Sequence, residues 1–160
     1  YGAAIQDAKS AARSFIEHSL KPGRQLSVVG FPGGVLAPLT TDKNALQDAV
    51  TKLAPIGSTP MADGLRAAQN LLGIKAGIQR VYILLTDGHP DNPDATLAEA
   101  HRIRSAGGRL IAVGLGNQVK PDYLRTLASS DEDYRHCETS VELRGTFINL
   151  ATELEPRKQQ

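Results

Sequence analysis

The sequence predicts an open, doubly wound α/β sheet, mostly parallel, with one antiparallel edge hairpin and helices on both faces. Three observations predict it. Val81 to Leu85 and Leu110 to Leu115 are unbroken runs of mostly branched apolar residues, the pattern of strands covered on both faces of a parallel sheet. Segments of helical period alternate with these runs. Two Val-rich stretches also flank Pro32, Gly33 and Gly34, as in a hairpin with a Gly-rich turn.

The elements follow in order. Ile5, Ala8, Ala12, Phe15 and Ile16 recur at helical steps, and Pro22 with Gly23 stops that helix. Leu26 to Phe31 and Val35 to Leu39 form the hairpin. Thr41 or Asp42 caps a second helix with the stripe Ala45, Leu46, Ala49, Val50 and Leu53. Pro60 opens a third at its first helical position, with Leu65, Ala68, Leu71 and Leu72 inward and Gly73 ending it. Val81 to Leu85 is then the central strand. Asn92 and Pro93 launch a helix carrying Leu97, Ala100, Ile103 and Arg104, which Gly107 and Gly108 terminate before the strand Leu110 to Leu115. Pro121 to Ala128 reads as a short helix, Tyr134 to Glu138 as a more exposed strand, and Glu142 to Leu154 as a closing helix. Residues 1–155 form one domain, and 156–160 a disordered tail.

Composition excludes several function classes. A 41% hydrophobic share with 22% charge is globular, which sets disorder aside. Eighteen Lys and Arg against 17 Asp and Glu leave no basic footprint, so neither nucleic acid nor a membrane surface is an expected partner. No apolar run reaches the roughly 18–20 residues of a membrane span. Cys137 is the sole cysteine, so no intrachain disulfide forms, and a cytoplasmic location is the simpler expectation.

In such sheets a ligand sits outside the carboxyl ends of the strands. The loops there, Gly57 to Pro60, Thr86 to Asp94 and Gly114 to Asn117, are rich in oxygen donors. They contain no nucleophile elbow and no phosphate-cradling GK[ST], and Gly114-x-Gly116 is too short for a dinucleotide fingerprint. Asp87, Asp91 and Asp94 lack EF-hand spacing, and Asp91 and Asp94 instead suit a helix N-terminus, as does Asp63. His18, His89, His101 and His136 show no zinc-binding spacing, and Cys137 reads as an apolar filler. Thr59 before Pro60 is, by itself, an ordinary helix cap.

The segments G-S-T-P-M-A-D-G-L at Gly57 to Leu65, V-Y-I-L-L-T-D-G at Val81 to Gly88 and I-A-V-G-L-G at Ile111 to Gly116, in this order, resemble motifs of von Willebrand factor type A domains. The resemblance runs through nearly the whole chain and implies a Rossmann-like sheet with a metal ion-dependent adhesion site at its carboxyl edge. It assigns Thr59 and Asp87 as metal ligands, with Mg²⁺ (or Mn²⁺ or Ca²⁺) in a shell of hard oxygens. One position is left for an acidic side chain of a protein partner. The output implied is binding rather than catalysis. A metal-free scaffold and a nucleotide-binding α/β enzyme are the alternatives. The D-x-S-x-S segment of that family is absent here, and Tyr1 and Gly2 match the residues right after it. The resemblance therefore implies a first strand and three further ligands upstream. That strand would stand between those at Leu26 and Val81, and its loss would leave two unpaired interior edges.

Overall fold

A computed structural model describes residues 2–19, 25–30, 34–52, 60–73, 80–86, 90–116 and 119–153. Among these residues six helices and five strands follow one another as α1 (Gly2–Ser19), β1 (Leu26–Gly30), β2 (Gly34–Thr40), α2 (Lys43–Thr51), α3 (Met61–Leu72), β3 (Val81–Thr86), α4 (Pro93–Ser105), β4 (Arg109–Leu115), α5 (Pro121–Leu127), β5 (Tyr134–Cys137) and α6 (Ser140–Glu153). A 3₁₀ turn, Asp131–Asp133, precedes β5. The α/β, doubly wound reading holds.

Among the described residues the strands form two separate ladders. β1 and β2 pair antiparallel, and β3, β4 and β5 pair in that order, all parallel. The register sets Tyr82 beside Leu110 and Ile83 beside Ile111, so alternate residues of both strands face the same side. On one side Tyr82, Leu84, Leu110 and Ala112 pack with Met61 and Leu65 of α3 and Ala100 and Ile103 of α4. On the other, Ile111, Val113 and Leu115 meet Ala11 of α1 and Leu143, Phe147 and Leu150 of α6. Phe15 and Phe147 lock these last two helices edge to face, with ring centroids 5.9 Å apart. A third cluster, with Ile16, Ala37, Leu46, Ala49 and Val50, seats α1 and α2 on the hairpin. Each fully buried Leu, Ile or Val stabilises by roughly 1.5–3 kcal/mol relative to exposure.

Several local expectations are corrected. Among the described residues the middle of the parallel ladder is β4, which is buried over almost its whole length, while β3 pairs there with β4 alone and has Val81, Ile83 and Leu85 half-buried. An apolar run signals two covered faces but says nothing of strand order. Pro60 is the residue before α3 rather than its first helical residue, and it offers no side-chain cap. The buried part of α3 is its start, Met61, Ala62, Gly64 and Leu65, because that end dips under the sheet while Ala68 and Leu72 are only partly covered. In α4, Thr96 and Glu99 join Ala100 and Ile103 on the inward side. Gly73 ends α3 at φ +60°, a conformation that suits glycine.

Candidate functional site at the carboxyl edge of the sheet

In a parallel sheet each strand's carboxyl end leads to the start of a helix, so the positive helix ends gather along one edge. Here β3 ends at Thr86, β4 at Leu115 and β5 at Cys137, and α4, α5 and α6 begin at Pro93, Pro121 and Ser140. Local bonds hold these starts firmly. Asn92 Oδ1 accepts the Ala95 N–H at 3.0 Å, capping α4. Tyr123 on α5 donates its hydroxyl to the Pro93 carbonyl at 2.7 Å, tying two helices together at the edge. Burial pushes the Tyr123 phenol upward, so it stays a protonated donor. At α6, Glu142 Oε2 accepts from the Glu138 N–H at 2.8 Å while the Glu142 N–H donates to Thr139 Oγ1 at 3.2 Å, a reciprocal arrangement of the capping-box kind.

The turn out of β4 is equally constrained. Gly116 lies at φ +83°, and its N–H reaches the Cys137 carbonyl at 2.8 Å, prolonging the contact of β4 with β5 by one bond. A Cβ at Gly114 would meet Leu124 Cδ1 at 3.0 Å and Val119 Cγ2 at 3.1 Å, so this position lets α5 lie close on the strand.

The two residues assigned to the metal, Thr59 and Asp87, lie outside the described residues, as does His89. Their described neighbours are Pro60, which precedes α3, and Thr86, the buried last residue of β3. Both segments rest on one core, because Met61 of α3 and Leu84 of β3 belong to the same apolar cluster. Among the described residues no three His, Cys, Asp or Glu side chains come together as a metal group. Asp63 instead meets Arg66 at 3.4 Å on the surface of α3, and Asp94 sits in the first turn of α4.

The histidines are spread apart. His18 bonds the Ser14 carbonyl, His101 meets Arg104, and His136 lies between Tyr134 and Glu138. Cys137 is fully buried, with Sγ 3.3 Å from Thr146 Oγ1, and burial raises its thiol above the ordinary range, so it fills space rather than attacking. Sequence reasoning missed Glu99. Its carboxylate, 3% exposed, accepts from Arg66 and Gln69 of α3 and from Arg102 of its own helix. The hint was Arg66 and Gln69 standing one turn apart, able to serve one acceptor on a neighbouring helix.

An open, mainly parallel sheet with helices on both faces and its helix starts along one edge defines a Rossmann-like, doubly wound domain. The family model for the von Willebrand factor type A domain matches residues 5–148, and the chain belongs to that family. Solved structures agree on the fold. Proximal thread matrix protein 1 from the mussel byssus is 22% identical with a TM-score of 0.78, over 94% of this chain and 42% of that one. A further structure of that protein is described as having a zinc-occupied metal ion-dependent adhesion site motif. The domain of the type V pili tip protein Mfa5 from Porphyromonas gingivalis is 13% identical with a TM-score of 0.85, over 98% of this chain and 90% of that one. Manganese-loaded TRAP protein from Plasmodium vivax is 22% identical with a TM-score of 0.73, over 92% of this chain and 67% of that one. The chain thus spans less than half the length of the byssus protein. A search among curated proteins finds no match. Among the described residues no helix is long and apolar enough to cross a membrane.

Proposed function

We propose that the chain is a non-enzymatic interaction module that binds a protein partner at the carboxyl edge of its sheet, through a divalent cation held in part by Thr59 and Asp87. The observation that carries this reading is the shared core under both segments. Met61, two residues after Thr59, and Leu84, three before Asp87, pack in one cluster. Family membership over residues 5–148 supports the same edge, as do the zinc and manganese at two structural neighbours. The donor chemistry fits. A Thr hydroxyl and an Asp carboxylate are hard oxygen ligands suited to Mg²⁺, Mn²⁺ or Ca²⁺, and a single carboxylate leaves the ion enough positive charge to attract an acidic side chain. When bound, the ion would supply that open coordination position. The chain's own part is to hold the two ligands on elements anchored in one core, with the starts of α4, α5 and α6 adding favourable potential for an anionic partner group.

Isothermal titration of Mg²⁺ and Mn²⁺ into the natural polypeptide, with Asp87→Ala and Thr59→Ala beside it, tests the reading. Binding that Asp87→Ala abolishes and Thr59→Ala weakens is the anticipated result. Unchanged binding in both variants, or none in the parent, would favour a metal-free scaffold that recognises its partner by surface alone.

A further inference from the structure

The segment that carries Asp87 has described residues on either side, and both flanks lead to one helix. Upstream, Thr86 is the buried last residue of β3, in register with Gly114 of β4. A Cβ at Gly114 would meet Leu124 of α5 at 3.0 Å, so α5 lies close on the sheet at the level where β3 ends. Downstream, Pro93 opens α4, and its carbonyl accepts the Tyr123 hydroxyl of α5 at 2.7 Å. Two adjacent residues of α5, Tyr123 and Leu124, thus reach the two flanks.

The downstream flank is stiff enough to pass its position on. Pro90 is buried, and the rings of Pro90 and Pro93 fix φ at both positions. Between them Asn92 takes the extended conformation that a following Pro imposes, at φ −131° and ψ 91°. Its carbonyl accepts the Thr96 N–H at 3.0 Å and the Thr96 hydroxyl at 2.9 Å, and its side chain accepts the Ala95 N–H at 3.0 Å. Thr96 is buried. These bonds are internal to the start of α4, so they make a rigid corner without fixing where it stands against the sheet. The Tyr123 hydroxyl comes from outside α4. It ties the corner to a helix that Leu124 and Leu127 seat in the core.

We infer that Tyr123 is a positioning residue for the proposed cation site: its hydroxyl sets the corner Pro90–Pro93, and through it the placement of Asp87, three residues before Pro90. This rests on the reading that Asp87 ligates the ion. Loss of a group that orients a metal ligand weakens binding by about 10- to 100-fold. Tyr123 acts through the backbone rather than on the ligand itself, so the lower figure applies. A bond that served stability alone would lower the melting temperature and leave affinity where it was.

Tyr123→Phe keeps the ring and removes the hydroxyl. Isothermal titration of Mn²⁺ into the natural polypeptide, at a temperature where every variant is folded, should show a Kd raised about 10-fold. Asp133→Asn is the control, since it weakens the pair with Arg109 at the start of β4, the opposite end of the strands, and should leave Kd within about twofold of the parent. In EDTA, the amides of Asp94, Ala95 and Thr96 should exchange several-fold faster in Tyr123→Phe and not in Asp133→Asn. A parent-like Kd in Tyr123→Phe, or equal weakening in both variants, overturns the inference. Unchanged exchange at those amides overturns it too, whatever the titration gives. If the parent binds no Mn²⁺, the cation reading falls separately and exchange decides alone: faster exchange confined to the start of α4 retains Tyr123 as the residue that positions this segment.

Discussion

The carboxylate of Glu99 on α4 takes two N–H groups from the Arg66 guanidinium on α3, from Nε at 3.3 Å and from a terminal nitrogen at 3.2 Å. The same carboxylate accepts from Gln69 at 2.7 Å and from Arg102 at 3.1 Å, so three donor side chains converge on one buried acid. This clamp adds a directional polar tie between α3 and α4 to their shared apolar cluster.

Glu99→Gln preserves the side chain's volume and removes its charge, leaving an amide NH₂ facing guanidinium donors. We expect a loss of about 1–3 kcal/mol, as for hydrogen bonds to charged groups, with Arg66 half exposed and its share reduced by solvent. Urea denaturation measures the loss. A double-mutant cycle with Arg66→Met should show coupling of about 0.5–1 kcal/mol, and strict additivity would mean that the pair does not act as a clamp.

Gly108 closes the turn from α4 into β4, its N–H bonded to the Ile103 carbonyl at 2.9 Å. An added Cβ would stand 2.9 Å from Ile103 Cγ2 and 3.0 Å from both the Ile103 carbonyl oxygen and Tyr82 Cε1. The carbonyl belongs to the backbone of a buried residue and has little room to yield. Gly108→Ala should cost about 1–3 kcal/mol by overpacking. Gly73→Ala gives a contrast, since its penalty comes from φ +60° with no atom within 4 Å. Thermal denaturation of both variants separates crowding from backbone strain.

Asn92→Ala removes the cap from α4 and leaves the Ala95 N–H without its side-chain acceptor. A loss of about 1 kcal/mol is expected, and Asn92→Asp should restore most of it, because a carboxylate also favours the helix start. Failure of the Asp variant to recover stability would show that the amide has another role.

High pH should weaken the fold. Burial raises Cys137 and also Tyr82, Tyr123 and Tyr134, so each of these groups holds its proton more tightly folded than unfolded. The folded state then binds more protons above the unfolded values, and stability, fully present below them, falls as pH rises toward the folded ones. The window opens near ~8.5 for the thiol and near ~10 for the phenols. Denaturation midpoints taken between neutral pH and about pH 10 should decline, and less steeply in Cys137→Ala. An identical slope in that variant would remove the thiol from the account.

The legible part of the fold was the part encoded by periodicity. The stripes of α1 and α2, the hairpin of β1 and β2 and the runs of β3 and β4 each stand in a local spacing of apolar residues. The order β3-β4-β5 found among the described residues was not legible from residue type, because an apolar run such as Val81 to Leu85 does not name its neighbours. Buried acids were illegible for a related reason. Glu99 and Asp133 read as surface charges until Arg66 and Arg109 are brought across in space, with Asp133 accepting from Arg109 at 2.7 Å. The carboxyl edge itself was expected from the strand and helix alternation and is where the helices start, while Thr59 and Asp87 were assigned by motif and lie outside the described residues.

The edge-to-face contact of Phe15 with Phe147 joins two helices that stand almost at opposite ends of the described sequence. During synthesis α1 leaves the ribosome long before α6 does, and it must keep its apolar stripe from other surfaces until that partner emerges. Since domains are made from the amino end at about 5–20 residues per second, this interval lasts roughly 7–26 seconds. Emergence of α6, rather than collapse of the nascent parallel ladder, thus sets the moment at which that face of the sheet can be sealed.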